Sequence, residues 1–438
     1  MKYRIRLVLT LITLTGSFAR TEVRQGTLNH VVVISIDGLN PGYYDFPALA
    51  ALRKEGSSAQ GVVGQYPSLT YPAHTSIVTG TRPATHGIAS NTIFDPLHGS
   101  KLWYSKSAAI RVPTLWDIAK SAGMTTAAVA WPVTVGAPID FLIPEAYPPP
   151  AGMTTQQYTR SVSTPGLLAA IGGSVNPDDP AERDEFFTRA AVYILKTYRP
   201  NLLLLHLTNT DSVQHTYGRS GPEVSRVFMK AAAEVAEIVK ALEDAGIRRQ
   251  TTIVVTGDHG FQNVHSYLQP NVLLREAGLL QTDAEGNITS WKAAAHAAAI
   301  RLADPKDKKT ADRVTELFRK ASRQGPYQGL FRLVEQRELR ALGAYPEALF
   351  VVEPVAGYLP VETFQSDRFV VPAPIQGAHG FLPDTPMMRT GLIMFGRGVR
   401  AGVSSPVVRQ IDIAPTIARL LGLSLKSSEG VALTRWLN

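Results

Sequence analysis

The chain of 438 residues contains no cysteine, and this absence excludes several kinds of chemistry at once. Disulfides, thiolate nucleophiles, thiolate metal ligands and lipid-anchored cysteines all need a side chain that the sequence lacks. Charged residues are also scarce, at 18 %, whereas hydrophobic residues make up 45 %. This composition is typical of a globular protein that buries a sizeable core. The length favours one large α/β unit with an insertion, or two domains.

The sequence also has no Lys/Arg-rich block and no nucleic-acid-binding motif, although its formal net charge is +8. Part of that charge comes from Lys2, Arg4 and Arg6, which lie at the very start of the chain. We therefore expect no nucleic acid as a structural partner. An anionic small-molecule substrate would still be attracted by the remaining positive charge.

The first 19 residues have the form of a secretory signal peptide. Basic residues precede an apolar run that begins at Leu7, and small residues follow between Gly16 and Ala19. No later segment reaches the length of a transmembrane helix. We expect a soluble exported protein, periplasmic or extracellular, with no stable membrane insertion after cleavage. An uncleaved membrane anchor is the alternative.

Apolar runs alternate with helical patterns through most of the chain. Buried strands are predicted at Val31–Ile36, Asn201–His206 and Thr251–Thr256, and long helices at Asp179–Thr197 and Pro222–Ala245. This alternation predicts an α/β fold with a largely parallel central sheet flanked by helices. The texture changes over residues 281–359, where shorter strands and a charged helix predict a small inserted α+β subdomain. The catalytic α/β domain would then be discontinuous, over 27–280 and 360–438.

Side chains that can ligate a metal ion follow the apolar runs. They are Asp37, Asp211, His215, Asp258, His259 and His379. Open α/β sheets bind ligands at the carboxyl ends of their strands, and residues four apart, such as Asp211 and His215, share one helix face. Ordinary turn or helix-capping roles remain open for Asp37 and Asp211. Carboxylate and imidazole without sulfur suit zinc, with manganese or another divalent ion as the alternative, and six side chains suit two ions.

The stretch from Pro67 to Asn91 offers a hydroxyl nucleophile, Thr70, between Pro67 and Pro72. A helix is predicted to follow at Ala73–Thr79, and a helix N-terminus favours anions. A proline-bounded loop before an ordinary helix is the alternative. We interpret His74 and His86 as hydrogen-bonding or packing residues. The proline- and aromatic-rich loop from Gly136 to Met153 suits either a substrate wall or irregular surface.

Taken together, five segments resemble those of the nucleotide pyrophosphatase/phosphodiesterase family, within the alkaline phosphatase superfamily. The segments are ISIDGL, PSLTYPAHTSIVTGTRPATHGIASN, TDSVQH, TGDHGF and GAHGF, in the family's order. The resemblance implies an alkaline-phosphatase-like sandwich fold and two bound zinc ions. It assigns one ion to Asp211, His215 and His379, and the other to Asp37, Asp258 and His259.

The resemblance also implies how these residues act. Thr70 would be the nucleophile, with its oxygen on the second zinc, and would form a covalent phosphothreonine intermediate. Asn91 and the backbone N–H of Thr70 would hold a non-bridging phosphate oxygen. Tyr71 and Trp131 are the predicted substrate-binding residues, although Tyr71 could equally be a packing residue. The sequence departs from the family at Ala73, where an asparagine is common.

These features predict a metal-dependent phosphoric diester hydrolase that acts on small phosphodiester or nucleotide substrates. A phosphate monoesterase is the nearest alternative, but related monoesterases bring a Lys and Arg pair that the segment from Trp131 to Pro148 lacks. A phosphonate hydrolase and a non-catalytic zinc-binding protein are further alternatives. The sequence disfavours a sulfatase, because no cysteine is available to mature into its aldehyde nucleophile.

Overall fold

The computed structural model describes residues 29–98, 102–172, 179–364 and 366–438, so the predicted signal peptide lies outside the described residues. An eight-stranded sheet forms the centre of the fold. Across it the strands run in the order Val403–Ser405, Gly56–Ala59, Leu392–Gly396, Thr251–Thr256, His30–Ile36, Leu202–Leu207, Thr126–Val129 and Phe141–Ile143. Only Leu392–Gly396 is antiparallel to its neighbours within this sheet. The predicted α/β fold with a largely parallel sheet is confirmed.

Helices cover both faces of the sheet, because alternate side chains of its apolar strands point to opposite faces. Val32 and Ile34 pack on one face, under the helices Pro47–Glu55, Pro180–Tyr198 and Pro222–Asp244. Val31 and Val33 pack on the other, under the helices Thr70–Thr79, Leu115–Ser121 and Ile413–Leu420. Every residue of His30–Ile36 is buried. This central strand therefore places its carboxyl end in the middle of the sheet edge.

The long elements predicted from the sequence are confirmed to within a few residues at their ends. The nucleophile helix begins at Thr70 itself, three residues earlier than predicted. Shorter α-helices lie at Pro83–His86, Thr155–Val162, Leu167–Ile171, Asn209–Tyr217, Pro270–Glu276 and Gln336–Leu342. Turns of 3-10 helix lie at Pro41–Tyr43, Ser107–Ala109, Arg248–Gln250, Gly325–Tyr327, Pro386–Met388, Gln410–Asp412 and Thr434–Trp436. None of the helices in the described ranges has both the length and the hydropathy needed to span a membrane.

A second, antiparallel sheet lies within the segment predicted to be inserted. Its strands, in order, are Ala293–His296, Ala299–Leu302, Phe350–Pro354 and Phe331–Glu335, and the helix Lys308–Arg323 buries Val314 and Phe318 in the same core. That core also includes Leu273 and Phe369, which lie outside residues 281–359. The subdomain boundaries at 281 and 359 stay a prediction.

Three small strand groups complete the architecture. The strand Gln262–Leu268 pairs with Gly357–Pro360, Val370–Pro372 and Gly377–Ala378. Leu280–Thr282 and Ile288–Trp291 form a hairpin, and Val62–Val63 pairs with Val408–Arg409. The first of these groups matters most for function, because Gly377–Ala378 leads directly into His379.

Candidate active site

Five of the six predicted ligands follow neighbouring strands of the central sheet. Asp37 comes directly after His30–Ile36, and Asp258 and His259 come after Thr251–Thr256. Asp211 and His215 lie on the helix Asn209–Tyr217, which begins just after Leu202–Leu207 and confirms the predicted one-turn spacing. Since these three strands are adjacent and parallel, their carboxyl ends meet at one sheet edge.

His379 reaches the same edge by another route. It follows the two-residue strand Gly377–Ala378, which is not part of the central sheet. Ser68 fixes this loop against the nucleophile loop: its hydroxyl donates to the Phe381 carbonyl at 2.8 Å and accepts from the Gly380 N–H at 3.1 Å. The sequence analysis missed Ser68, because nothing in the local pattern distinguishes this serine from any other serine in a loop.

The first ligand group surrounds one carboxylate oxygen. Oδ1 of Asp211 lies 3.3 Å from Nε2 of His215 and 3.5 Å from Nε2 of His379. The Nδ1 atoms of these histidines donate to the carbonyls of Gly377 and Ser68, at 2.9 and 3.0 Å. Because a carbonyl can only accept, Nδ1 carries the proton and Nε2 presents its lone pair to the cluster. That tautomer is the one that binds a metal.

The second ligand group surrounds His259. Its Nε2 lies 3.2 Å from Oδ1 of Asp37 and 3.2 Å from Oδ2 of Asp258. Each predicted set of three ligands is therefore brought together. Asp37, Asp211 and His259 also lie within ligating distance of one another, so the two groups adjoin.

The chemistry of this donor set fits divalent cations. Oδ1 of Asp37, Oδ1 of Asp211 and Oδ2 of Asp258 are buried, with no hydrogen-bond partner among the described residues. Burial, together with the Asp258 and Asp211 carboxylates, raises the pKa of Asp37 well above its ordinary value. Burial lowers the pKa of His259 and of His379 to about 3, which keeps both imidazoles neutral. Buried carboxylates that repel one another beside neutral imidazoles are stabilised by a bound cation.

Thr70 is the first residue of its helix, and its Oγ1 lies 3.3 Å from Nε2 of His259. The first N–H groups of a helix have no partner within the helix. Asn91 satisfies one of them, since its Oδ1 accepts from the N–H of Tyr71 at 2.9 Å. This bond identifies the oxygen of the Asn91 amide and leaves the Nδ2 group as a donor. The nucleophile candidate therefore lies beside hydrogen-bond donors and the cluster of ligands.

The glycines beside the ligands serve packing rather than a close approach to an ion. A Cβ at Gly257 would lie 2.3 Å from the Leu39 carbonyl oxygen, and one at Gly260 would lie 2.3 Å from the Met387 carbonyl oxygen. Neighbouring backbone thus occupies the space that a side chain would need.

A layer of buried rings lies beneath the ligands. Nδ1 of His74 donates to the Thr70 carbonyl at 2.8 Å, and its ring lies 4.2 Å from that of His206 and 4.8 Å from that of Trp131. Nε2 of His206 lies 3.1 Å from Oδ2 of Asp37. Trp131 is 0 % exposed and packs in the hydrophobic core beside Val31. Other side chains separate Trp131 from solvent, so the structure does not support its predicted substrate-binding role.

The sheet edge opens into a cavity of about 350 Å³. Its lining includes the predicted site residues Asp37, Thr70, Asn91, Asp211, His215 and His379. It also includes a second group, called the second wall here: Tyr71, Trp103, Glu145, Tyr147, Arg183 and Phe187. Residues 144–147 belong to the loop predicted as either a substrate wall or irregular surface, and they line this cavity. Tyr71 is 0 % exposed and Tyr147 is 48 % exposed, so Tyr147 presents the more accessible ring. Trp103 packs edge-to-face against both, at 5.3 and 5.4 Å between ring centroids.

Two charged residues of this second wall were not identified from the sequence. Glu145 lies beside the Tyr71 hydroxyl, though outside standard hydrogen-bond geometry, and burial raises its pKa to about 8. Arg183 lies on the helix Pro180–Tyr198, and its Nη2 donates to Oγ1 of Thr208 at 3.4 Å. No short motif could have linked Arg183 to the site, because helix packing alone brings it there.

Asp184 was also missed. It is 2 % exposed, and its carboxylate accepts from the N–H groups of Thr208 and Asn209 at 2.8 and 2.9 Å. The Thr208 hydroxyl donates to the same carboxylate at 3.2 Å. These bonds hold the start of the helix that carries Asp211 and His215. Asp184 is therefore placed to set the position of two predicted ligands without contacting them.

Comparison with known proteins identifies the family. The family described as type I phosphodiesterase / nucleotide pyrophosphatase matches residues 31–381. An uncharacterized pyrophosphatase/phosphodiesterase of Schizosaccharomyces pombe is 27 % identical over 249 residues, which are 56 % of this chain and 47 % of that protein. Human ectonucleotide pyrophosphatase/phosphodiesterase family member 1 is 25 % identical, over 53 % of this chain and 23 % of its own length. The chain thus spans about half or less of these two relatives.

Two further matches extend over most of the chain. The mouse bis(5'-adenosyl)-triphosphatase of family member 4 is 24 % identical, over 91 % of this chain and 79 % of that protein. The solved structure of an inactive threonine-to-alanine variant of murine ectonucleotide pyrophosphatase/phosphodiesterase 5, in complex with AMP, has the same fold. Its TM-score is 0.67 at 19 % identity, covering 94 % of this chain and 100 % of that one. The chain belongs to the type I phosphodiesterase / nucleotide pyrophosphatase family.

Proposed function

We propose that the protein hydrolyses phosphodiester or phosphoanhydride bonds of small nucleotide-type substrates, through a covalent intermediate on Thr70. One observation carries the proposal. The Thr70 hydroxyl begins a helix at the edge of the cavity and lies 3.3 Å from Nε2 of His259, within the cluster of metal-ligand side chains. A threonine needs such surroundings, because its hydroxyl alone is a weak nucleophile near neutral pH.

Two divalent cations complete this proposed site, with zinc as the first choice and manganese as the alternative. Asp211, His215 and His379 would hold one, and Asp37, Asp258 and His259 the other, with the Thr70 oxygen as a further ligand. When bound, such ions lower the pKa of a neighbouring hydroxyl and neutralise the charge that develops on phosphate oxygens.

The chain's own residues account for the rest of the chemistry. Oγ1 of Thr70 attacks phosphorus while the bond from phosphorus to the leaving oxygen breaks, and the Thr70 proton ends on that leaving oxygen. Water then attacks the same phosphorus and breaks its bond to Oγ1; one water proton restores the Thr70 hydroxyl, and the phosphate product leaves with the water oxygen. The N–H of Thr70 and the Nδ2 group of Asn91 donate to a non-bridging oxygen in both steps. Donors positioned in advance stabilise the transition state more than the ground state.

Several observations support a nucleotide as substrate. The relative of family member 4 is named as a bis(5'-adenosyl)-triphosphatase, and the family member 5 structure holds AMP. In this chain, Trp103 and Tyr147 offer ring surface on which a base can stack. We further propose that the protein is exported, on the strength of its predicted signal peptide, and that it acts without a nucleic acid partner.

A phosphate monoesterase is the second candidate, and Arg183 is the observation that favours it. The absence of Lys and Arg between Trp131 and Pro148 argued for a diester. Arg183, however, lines the cavity from outside that segment, on the helix Pro180–Tyr198. A guanidinium there could balance the additional charge of a monoester. The charge argument from that segment alone is therefore incomplete.

Side-by-side kinetics distinguish the two candidates. Metal-loaded protein would be assayed on bis-p-nitrophenyl phosphate and on p-nitrophenyl phosphate, with Thr70→Ala as the control for contaminating activity. We expect kcat/KM for the diester to be higher by at least about tenfold, or about 1.4 kcal/mol of transition-state binding. A preference for the monoester would move the protein to the phosphatase branch. Absence of turnover on both would contradict the proposed activity.

A further inference from the structure

Arg183 and Thr70 approach the cavity from opposite faces of the central sheet. The helix Pro180–Tyr198 packs Phe186 on the face that holds Val32, whereas the nucleophile helix packs Ile77 on the face that holds Val33. Both Arg183 and Thr70 nevertheless line one cavity. Arg183 is thus a cation of the cavity that holds Thr70, and it reaches that cavity from a different helix than the nucleophile.

Neighbouring side chains surround the guanidinium at the wall. Its Nη2 group donates to Oγ1 of Thr208 at 3.4 Å, and its charge acts on the carboxyl of Glu145, which lines the same wall. Thr208 is itself fixed, since its N–H and hydroxyl both donate to the buried Asp184. The position of the positive charge is thus supported by neighbouring side chains, as expected for a built subsite.

We propose that Arg183, with Glu145 beside it, forms an anion subsite that takes a second phosphate of the substrate, displaced from the scissile phosphorus. This inference rests on the proposed function, because that function places the scissile phosphate at Thr70. A guanidinium matches two phosphate oxygens at once, which a single point charge cannot do. The cavity of about 350 Å³ leaves room for more than one phosphate group.

The test compares AMP and ADP, which differ by one phosphate. Equilibrium binding is measured by calorimetry on two zinc-loaded proteins. The first is the Thr70→Ala variant, which holds nucleotide without turnover, and the second is the Thr70→Ala/Arg183→Gln double variant. We expect ADP to bind at least about fivefold more tightly than AMP, and the Arg183→Gln change to bring that ratio close to one. Arg189→Gln is the matched control, since Arg189 lies on the same helix but is exposed and packs over Phe186. It removes the same charge and should leave the ratio unchanged.

Turnover by the protein with Thr70 intact tests the proposed function separately. Arg183→Gln should lower kcat/KM for ATP by at least about tenfold and for bis-p-nitrophenyl phosphate by less than about threefold. An ADP to AMP ratio that survives Arg183→Gln would overturn the subsite even if ATP is hydrolysed. Selective loss of activity on p-nitrophenyl phosphate would also overturn it, because Arg183 would then act on the scissile phosphate. If Thr70→Ala protein still hydrolyses ADP, the proposed function fails, and the subsite is then decided by repeating the binding comparison with the non-hydrolysable analogue α,β-methylene-ADP in place of ADP.

Discussion

The two walls of the cavity are built in different ways. On one wall, Asp37 directly follows a central strand, and Asp211 lies on the helix that begins just after the neighbouring strand, so both are positioned by the sheet edge. On the other, Tyr147 and Arg183 come from a loop and from a helix on one face of the sheet. The strand-end wall concentrates buried charge suited to catalysis, whereas the second wall offers rings and a partly exposed cation. We expect variants of the strand-end wall to affect the chemical step, and variants of the second wall to affect the choice of substrate.

Removing metal should have the largest effect, because it acts on the strand-end wall as a whole. We expect two zinc ions per chain by elemental analysis, and loss of all measurable activity after dialysis against a chelator. Three carboxylate oxygens with no hydrogen-bond partner among the described residues would then repel one another, so the Tm should fall as well. Zinc added back should restore both. Full activity with one ion or none would contradict the two-metal site.

Replacing the nucleophile should have the second-largest effect on activity. Thr70→Ala removes the hydroxyl and should lower kcat by about a thousandfold or more, with little change in metal content or Tm. Thr70→Ser keeps a hydroxyl at the same position and should retain much more activity. A kcat near normal in Thr70→Ala would mean that water attacks phosphorus directly and that no phosphothreonine forms.

The strand-end wall is also the part of the site that sequence could predict. Apolar runs indicate strands, and a residue that directly follows a strand must lie at the sheet edge, so Asp37, Asp258 and His259 could be placed without coordinates. The spacing of Asp211 and His215 likewise implied one helix face. His379 was named from the sequence in the same way, although its strand is only two residues long and lies outside the central sheet. On this wall, the position of a residue along the chain relative to a strand or helix is enough to place its side chain in the site.

The second wall depends on packing between distant parts of the chain, which local pattern does not encode. Arg183 looks like any charged residue near a helix start, and only the docking of that helix brings it to the cavity. Trp131 is the opposite case: it was predicted to bind substrate, yet its ring is buried and packs against His74. Sequence can identify aromatic residues near a site, but their exposure depends on the tertiary fold.

Asp184 connects the two walls, and its removal should have an intermediate effect. Asp184→Ala deletes three hydrogen bonds to Thr208 and Asn209 and frees the start of the helix that carries Asp211 and His215. We expect zinc affinity at that site to fall by about 10- to 100-fold, measured by competition with a chromogenic chelator. Asp179→Ala is the matched control, since Asp179 caps its own helix by accepting from Ala181 and Glu182. It should cost about 1 kcal/mol of stability and leave zinc affinity unchanged.

The smallest expected effect belongs to the exposed ring of the second wall, Tyr147. Its side chain packs edge-to-face against Trp103 and remains 48 % exposed, so a base can stack on it without displacing core residues. Tyr147→Ala should raise KM for the p-nitrophenyl ester of thymidine 5'-monophosphate by about five- to tenfold, and for methyl p-nitrophenyl phosphate by less than about twofold, with kcat retained. Tyr147→Phe keeps the ring and should behave like the unmodified protein. Equal losses on both substrates would show that the ring supports the wall rather than the base. In that case the division between a catalytic wall and a selecting wall would no longer hold at Tyr147.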